Sequence, residues 1–218
     1  MTRNSIEIVE LEKLVVFQRT VNLSYVAELQ QALGQDPDEE AVFHFVLPTD
    51  GRYDPVVNAA PIGPGPMGPL AFAMVSPSQD LRVLKTAMLD PAQVEGFNIN
   101  GRATQIIALA VGYGTNYLSA MRVGTRLILN NGTHRAYALL AAGHTHAAML
   151  IQDIPPGEEK DHLPAPVQAE LDAYLSSPRP PLLRDYLDEA LHVVVHVPRT
   201  ARSIRVVLNY EEGTAPGM

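Results

Sequence analysis

Six consecutive residues, Asn130, Asn131, Gly132, Thr133, His134 and Arg135, bring amide, hydroxyl, imidazole and guanidinium groups together between a strand-like run, 126–129, and a helix-like run, 134–142. A helix entered straight from a strand presents N–H groups that have no helical carbonyl, and partial positive charge collects there. The ligand such a turn favours is an anion, a phosphate above all. Gly132 lets the backbone approach it closely, Thr133 adds a hydroxyl, His134 a ring nitrogen, and Arg135 a permanent cation with paired donors. Other candidates are weaker. His144 with His146, and His192 with His196, place imidazoles on shared strand faces, but carboxylates at recognisable intervals are missing, so no metal site is expected. Gly112-Tyr113-Gly114-Thr115 reads as a plain turn. Arg199, Arg202 and Arg205 are balanced by Glu211, Glu212 or solvent more readily than they form a partner surface.

The composition narrows the chemistry. The 218 residues contain no cysteine, which excludes disulfides, thiolate nucleophiles and cysteine-ligated metals. A formal net charge of −8, with Lys13, Lys85 and Lys160 the only lysines, argues against broad adhesion to nucleic acid, so DNA is not an expected partner. The apolar runs are too short to span a bilayer and the first residues lack a signal-peptide core, so no membrane association and a cytoplasmic location are expected.

The elements that must hold the turn follow from periodicity. Residues 6–9 alternate like a strand. Residues 22–33 read as a helix capped by Asn22 or Ser24, with a stripe at Val26, Leu29 and Leu33 and a stop at Gly34. Strand-forming residues fill 41–47, ended by Pro48. The Pro/Gly run 54–69 predicts a long surface loop. Helices are expected over 76–89, opened by Pro77, and over 103–111. A strand near 117–122 precedes the central unit: strand 126–129, turn 130–133, helix 134–142, Gly143, strand 147–151. The helix is apolar nearly all round, which suits the core or a subunit contact. After a polar linker, 154–161, helices over 166–175 and 182–191 and a hairpin of 192–197 with 203–209 around 198–202 are expected, then a disordered tail, 211–218.

The run Leu127-Ile128-Leu129-Asn130-Asn131-Gly132-Thr133-His134-Arg135, its helix to Ala142, Gly143 and the strand Ala147-Ala148-Met149-Leu150-Ile151 resemble the strand, G-x-[HR]-R motif, helix, glycine and strand of ParB/sulfiredoxin-like domains. The opening, Ile8 to Arg19 followed by a helix with Val26-Ala27-Glu28-Leu29, is similar to that superfamily's first box. The resemblance implies an α+β (α/β-like) domain over 1–154, a mixed sheet with packed helices and an insertion at about 36–100, followed by a C-terminal helix–hairpin extension over 155–218. It also implies that the motif's loop and helix N-terminus hold nucleotide phosphates, joined by Gln18 and Arg19 of the first box.

Activities in the superfamily include a CTP-dependent DNA clamp, ATP-dependent sulfinic-acid reduction, free-serine kinases and proposed nucleases. The cysteine-dependent reduction does not carry over, because Thr133 stands in that neighbourhood, and clamping lacks a following helix-turn-helix and basic surface. Phosphotransfer would need a carboxylate near the acceptor, such as Glu10 or Glu12, although surface glutamates are the commoner explanation. It would also need Mg2+ with ATP, ADP or CTP. Two expectations result: a nucleotide-dependent phosphotransferase or hydrolase acting at the 130–135 turn, or a ligand-sensing or protein-interaction module without turnover, in either case compatible with a homodimer.

Overall fold

The computed structural model describes residues 3–48, 58–61, 70–78, 80–96, 101–114, 116–198 and 200–209. In chain order its strands are β1 (Arg3–Glu10), β2 (Asn58–Pro61), β3 (Leu70–Ser76), β4 (Arg82–Leu89), β5 (Ile106–Gly112), β6 (Ser119–Val123), β7 (Arg126–Asn131), β8 (His146–Asp153) and β9 (Arg202–Leu208). The α-helices are α1 (Leu23–Leu33), α2 (Glu39–Val46), α3 (Thr133–Ala141), α4 (Glu159–His162) and α5 (Ala165–Ala169). This is an α+β chain of two compact units, residues 1–52 with 116–196, and residues 53–115 with 197–218. Among the described residues no helix is long and apolar enough to cross a membrane.

The first unit is built on a mixed sheet of order β1-β8-β6-β7, in which β8 runs antiparallel to β1 and parallel to β6. Its central strand carries apolar residues of both parities, and Ala147, Ala148, Met149 and Ile151 are all buried. A strand covered on both faces loses the two-residue alternation and becomes a continuous apolar run. On one side α1 packs against α3 and α2 against β8. The Asn22 side chain caps α1 by accepting from the Tyr25 N–H at 3.1 Å, and Val26, Leu29 and Leu33 are its buried stripe, as the spacing predicts. A second cluster joins Val15, Met121 and Ile128 to Ile154, Leu163, Val167 and Tyr174.

After β1 the chain makes a 3-10 turn, Leu11–Lys13, and residues 14–16 then lie along the open side of β7. The Val15 N–H donates to the Leu127 carbonyl at 2.9 Å, and the Val15 carbonyl accepts from Leu129 at 2.8 Å. Residues 181–183 continue the pattern, since Val16 donates to Pro181 and Leu183 to Leu14. On the solvent-facing side a cross-strand ion network links Arg122 of β6 to Glu7 of β1 at 2.5 Å and to Asp153 of β8 at 3.0 Å. The Arg122 guanidinium, and then the Ser5 hydroxyl, hold the Glu7 carboxyl below its ordinary range.

Several sequence-based expectations are corrected. Residues 41–47 belong to helix α2, not a strand: Asp38 caps it by accepting from Ala41 at 2.7 Å, and Glu39 and Glu40 complement the dipole of its first turn. The helix expected over 76–89 is instead the end of β3 and strand β4, and the one over 103–111 is β5, with which β4 forms a ribbon. Both segments are apolar runs too short for periodicity to separate helix from strand. In the run expected as loop, 58–61 is β2 and pairs with β3, whereas 54–57 and 62–69 lie outside the described residues, as do Thr115, Arg199 and the tail 211–218. The C-terminal hairpin is absent: β9 pairs with β3, and 192–197 forms no strand. Of the helices expected there, 166–175 becomes α5 and a π turn at Asp172–Ser176, and 182–191 a 3-10 turn at Leu183–Leu187.

The grouping also does not divide at 154. Residues 155–196 stay with the first unit, where the Arg126 guanidinium of β7 donates to the carbonyls of Tyr174 at 2.6 Å and Ser177 at 2.5 Å. The second unit contains the sheet β2-β3-β9 and the β4-β5 ribbon, which are tied by Arg202 Nε donating to the Leu81 carbonyl at 2.6 Å and by a 2.5 Å hydrogen bond between the Ser76 and Tyr113 hydroxyls.

The contrast in burial makes a direct test. Ile151 has no exposed surface while Ile107 is 77% exposed. In urea denaturation followed by circular dichroism, Ile151→Ala should cost about 2–5 kcal/mol and Ile107→Ala less than about 0.5 kcal/mol.

Candidate functional site

β7 passes through a single residue, Gly132, into α3, so the strand–turn–helix expected at this point is present. Gly132 is the N-cap and sits in the left-handed region with φ 93°. A Cβ there would lie 2.7 Å from Leu118 Cδ1 and 3.3 Å from its Cα. Glycine is therefore required twice, for its backbone angle and for the close approach. Gly132 offers no side-chain acceptor to the first-turn N–H groups, and the first helical bond runs from the Ala136 N–H to the Gly132 carbonyl at 2.9 Å.

The polar side chains of the turn serve the fold. Asn131 Nδ2 donates to the Tyr117 carbonyl at 3.1 Å, and Arg135, only 2% exposed, donates from Nη1 to the Asn116 carbonyl. Thr133 is buried as well. His134 Nε2 accepts from the Asn22 N–H at 3.0 Å, and its ring meets Tyr25 edge to face with centroids 5.4 Å apart. An imidazole that accepts at Nε2 is neutral and carries its proton on Nδ1. Burial favours the same state and lowers its pKa from the ordinary 6.5. Asn130, the last candidate of the turn, is exposed.

The first-box candidates make their contacts elsewhere. Gln18 Nε2 donates to the Thr20 carbonyl at 2.7 Å, and its own carbonyl accepts from the Tyr186 hydroxyl, whose pKa burial pushes up to about 12. Arg19 lies 3.6 Å from Glu170 in a largely exposed pair. Glu10 pairs with Lys13 at 2.6 Å, which holds its carboxyl below the ordinary range. Among the described residues no group of three or more histidines and carboxylates is assembled to hold a metal.

A cleft of about 470 Å³ lies along β1 and the start of β7, lined by residues that include Glu7, Ile8, Val9, Arg126 and Leu127. Sequence reasoning does not reach it, because its two walls are more than a hundred positions apart. It also misses the partnership of His134 with Asn22, since nothing local marks a histidine as an acceptor for a distant helix cap. No protein-family model matches the chain, and no curated protein or solved structure matches it.

Two measurements test the turn. Gly132→Ala should cost about 2 kcal/mol or more, from backbone strain plus the collision with Leu118, as read by chemical denaturation. For His134 the folded-state pKa is lowered, so the unfolded chain takes up this proton first. The stabilisation is complete above 6.5, the ordinary value, and is lost as pH falls through the lower folded value. The melting temperature should therefore decline between about pH 7 and about pH 5, with a shallower decline in His134→Gln, whose amide oxygen can still accept from Asn22. An equal slope in both proteins would remove His134 as the cause.

Proposed function

We propose that the chain is a phosphate-binding protein of the ParB/sulfiredoxin-like type, which takes the phosphate of a nucleotide such as ATP, ADP or CTP at the N-terminus of α3. The observation that carries this is the left-handed Gly132 cap, which provides close backbone access and no acceptor of its own to the first turn of a helix nine residues long. Exposed Asn130 adds an amide at the rim. Mg2+ would arrive with the nucleotide, held mainly by phosphates and water. Binding without turnover is favoured, because His134 and Arg135, the side chains a reaction would use, are engaged with Asn22 and Asn116. A phosphotransferase is the second reading and rests on the motif alone.

Thermal-shift titration with ATP, ADP, CTP, adenosine and inorganic phosphate, with and without Mg2+, tests it. A ligand that binds only the native state stabilises by about 2.7 kcal/mol at a hundredfold its Kd. The phosphorylated ligands should shift the melt and adenosine should not. Asn130→Asp, which places a like charge at the rim, should weaken binding by about 1 kcal/mol, about fivefold in Kd. Equal shifts from adenosine and ATP, or none at all, would overturn the proposal. Release of ADP from ATP over time would favour the enzyme.

A further inference from the structure

One side of β1 pairs with β8, and among the described residues nothing pairs with the other. The strand also exposes Ile6 at 59% and Ile8 at 70%, two positions apart and so on one face. The cleft of about 470 Å³ runs along this open side, and Glu7, Ile8, Val9 and Glu10 all line it. Successive side chains of a strand point to opposite faces, so four consecutive lining residues mean that the backbone edge itself faces the cleft. Leu127 and Leu182 supply an apolar far wall. An unpaired edge beside an apolar groove is the form that accepts an added strand.

The same unit contains an unpaired strand former. Residues 191–196, Leu-His-Val-Val-Val-His, take neither helix nor sheet, and among the described residues no backbone group of Val193, Val194 or Val195 has a backbone partner. Val193 is 81% exposed, Val194 57% and Val195 67%. Three consecutive β-branched residues favour extended backbone and a pleated, covered surface, and here they meet water. The segment is held at its start by a 2.8 Å hydrogen bond between His192 Nδ1 and the Asp188 carbonyl, and it leaves its own β1 edge uncovered.

We propose that the chain self-associates by strand addition, with residues 191–196 of one copy pairing along the open edge of β1 in a second copy. The alternation fits: Val193 and Val195 share a face, as do Ile6 and Ile8, so pairing brings both apolar sets together on one side of the extended sheet. The charges fit as well. Glu7 is matched by Arg122 and Glu10 by Lys13, so an entering run of valines meets balanced groups, and the segment carries no carboxylate. Each copy has one donor and one acceptor, which is what a second copy, rather than an unrelated partner, requires.

Sedimentation velocity and light scattering of the full chain over a concentration series test this. Wild type should rise toward twice the chain mass. Ile8→Lys, which charges the acceptor edge, and Val195→Pro, which removes a strand N–H from the donor, should each stay monomeric with the wild-type far-ultraviolet spectrum and melting temperature. Mixed in equal amounts the two should form a 1:1 complex, because the first still donates and the second still accepts. Ile6→Lys and Val193→Pro carry the same test if either first variant loses its spectrum. A wild type that is monomeric throughout, an association that survives in both variants, or a mixture of folded variants that stays apart would each overturn the proposal.

Discussion

The close approach of Gly132 to Leu118 is the contact on which the first unit depends. The chain returns to this unit at residue 116, and residues 116–118 are held from four directions. Arg135 and Asn131 donate to the carbonyls of Asn116 and Tyr117, the Leu118 N–H donates to Val46 at 2.8 Å, and the Leu118 carbonyl accepts from Leu150 at 3.0 Å. A Cβ at 132 would push against the middle of this arrangement. The turn after β7 thus fixes where β6 begins, and with it the pairing of β6 with β8 and the seat of α2.

This accounts for the residue types of the motif without a ligand. An arginine that is 2% exposed must spend its donors on protein acceptors, because a buried guanidinium left unsatisfied is costly. A backbone carbonyl at the entry to a strand is a suitable acceptor, since the ladder has not yet claimed it. His134 performs the complementary service for α1: its ring nitrogen satisfies the Asn22 N–H, while the Asn22 side chain caps the helix that follows. Two helices and one re-entry point are locked together by three successive side chains of the turn and its first helical residues.

Local signals were readable where the determinants were local. The cap and stripe of α1, the β7–Gly132–α3 junction and β8 all lie close to where spacing and turn chemistry place them. Residues 41–47 were misread because strand propensity outweighed the Asp38 cap and the two glutamates that begin α2. β5 and β4 were misread because an apolar run shorter than about ten residues fits either element. The C-terminal hairpin failed for another reason: β9 finds its partner in β3, more than a hundred residues away, and adjacency in sequence carries no information about that choice. At the site the six consecutive residues were legible as a unit. What each side chain touches was not, because Asn116, Tyr117 and Asn22 are brought there by the sheet.

Structural use of the motif and ligand binding draw on different donors. The side chains of Asn131, His134 and Arg135 point to the partners that build the unit, whereas an anion at the start of α3 would be met by backbone N–H groups and the helix dipole, which no side-chain contact consumes. A neutral His134 adds no charge, and a net charge of −8 gives no long-range attraction for an anion. Any selectivity for phosphate must then come from short-range geometry, the left-handed glycine and the N–H groups behind it, rather than from a basic field. The close packing of Leu118 under Gly132 keeps that geometry rigid, so the constraint that organises the fold also preorganises the backbone donors.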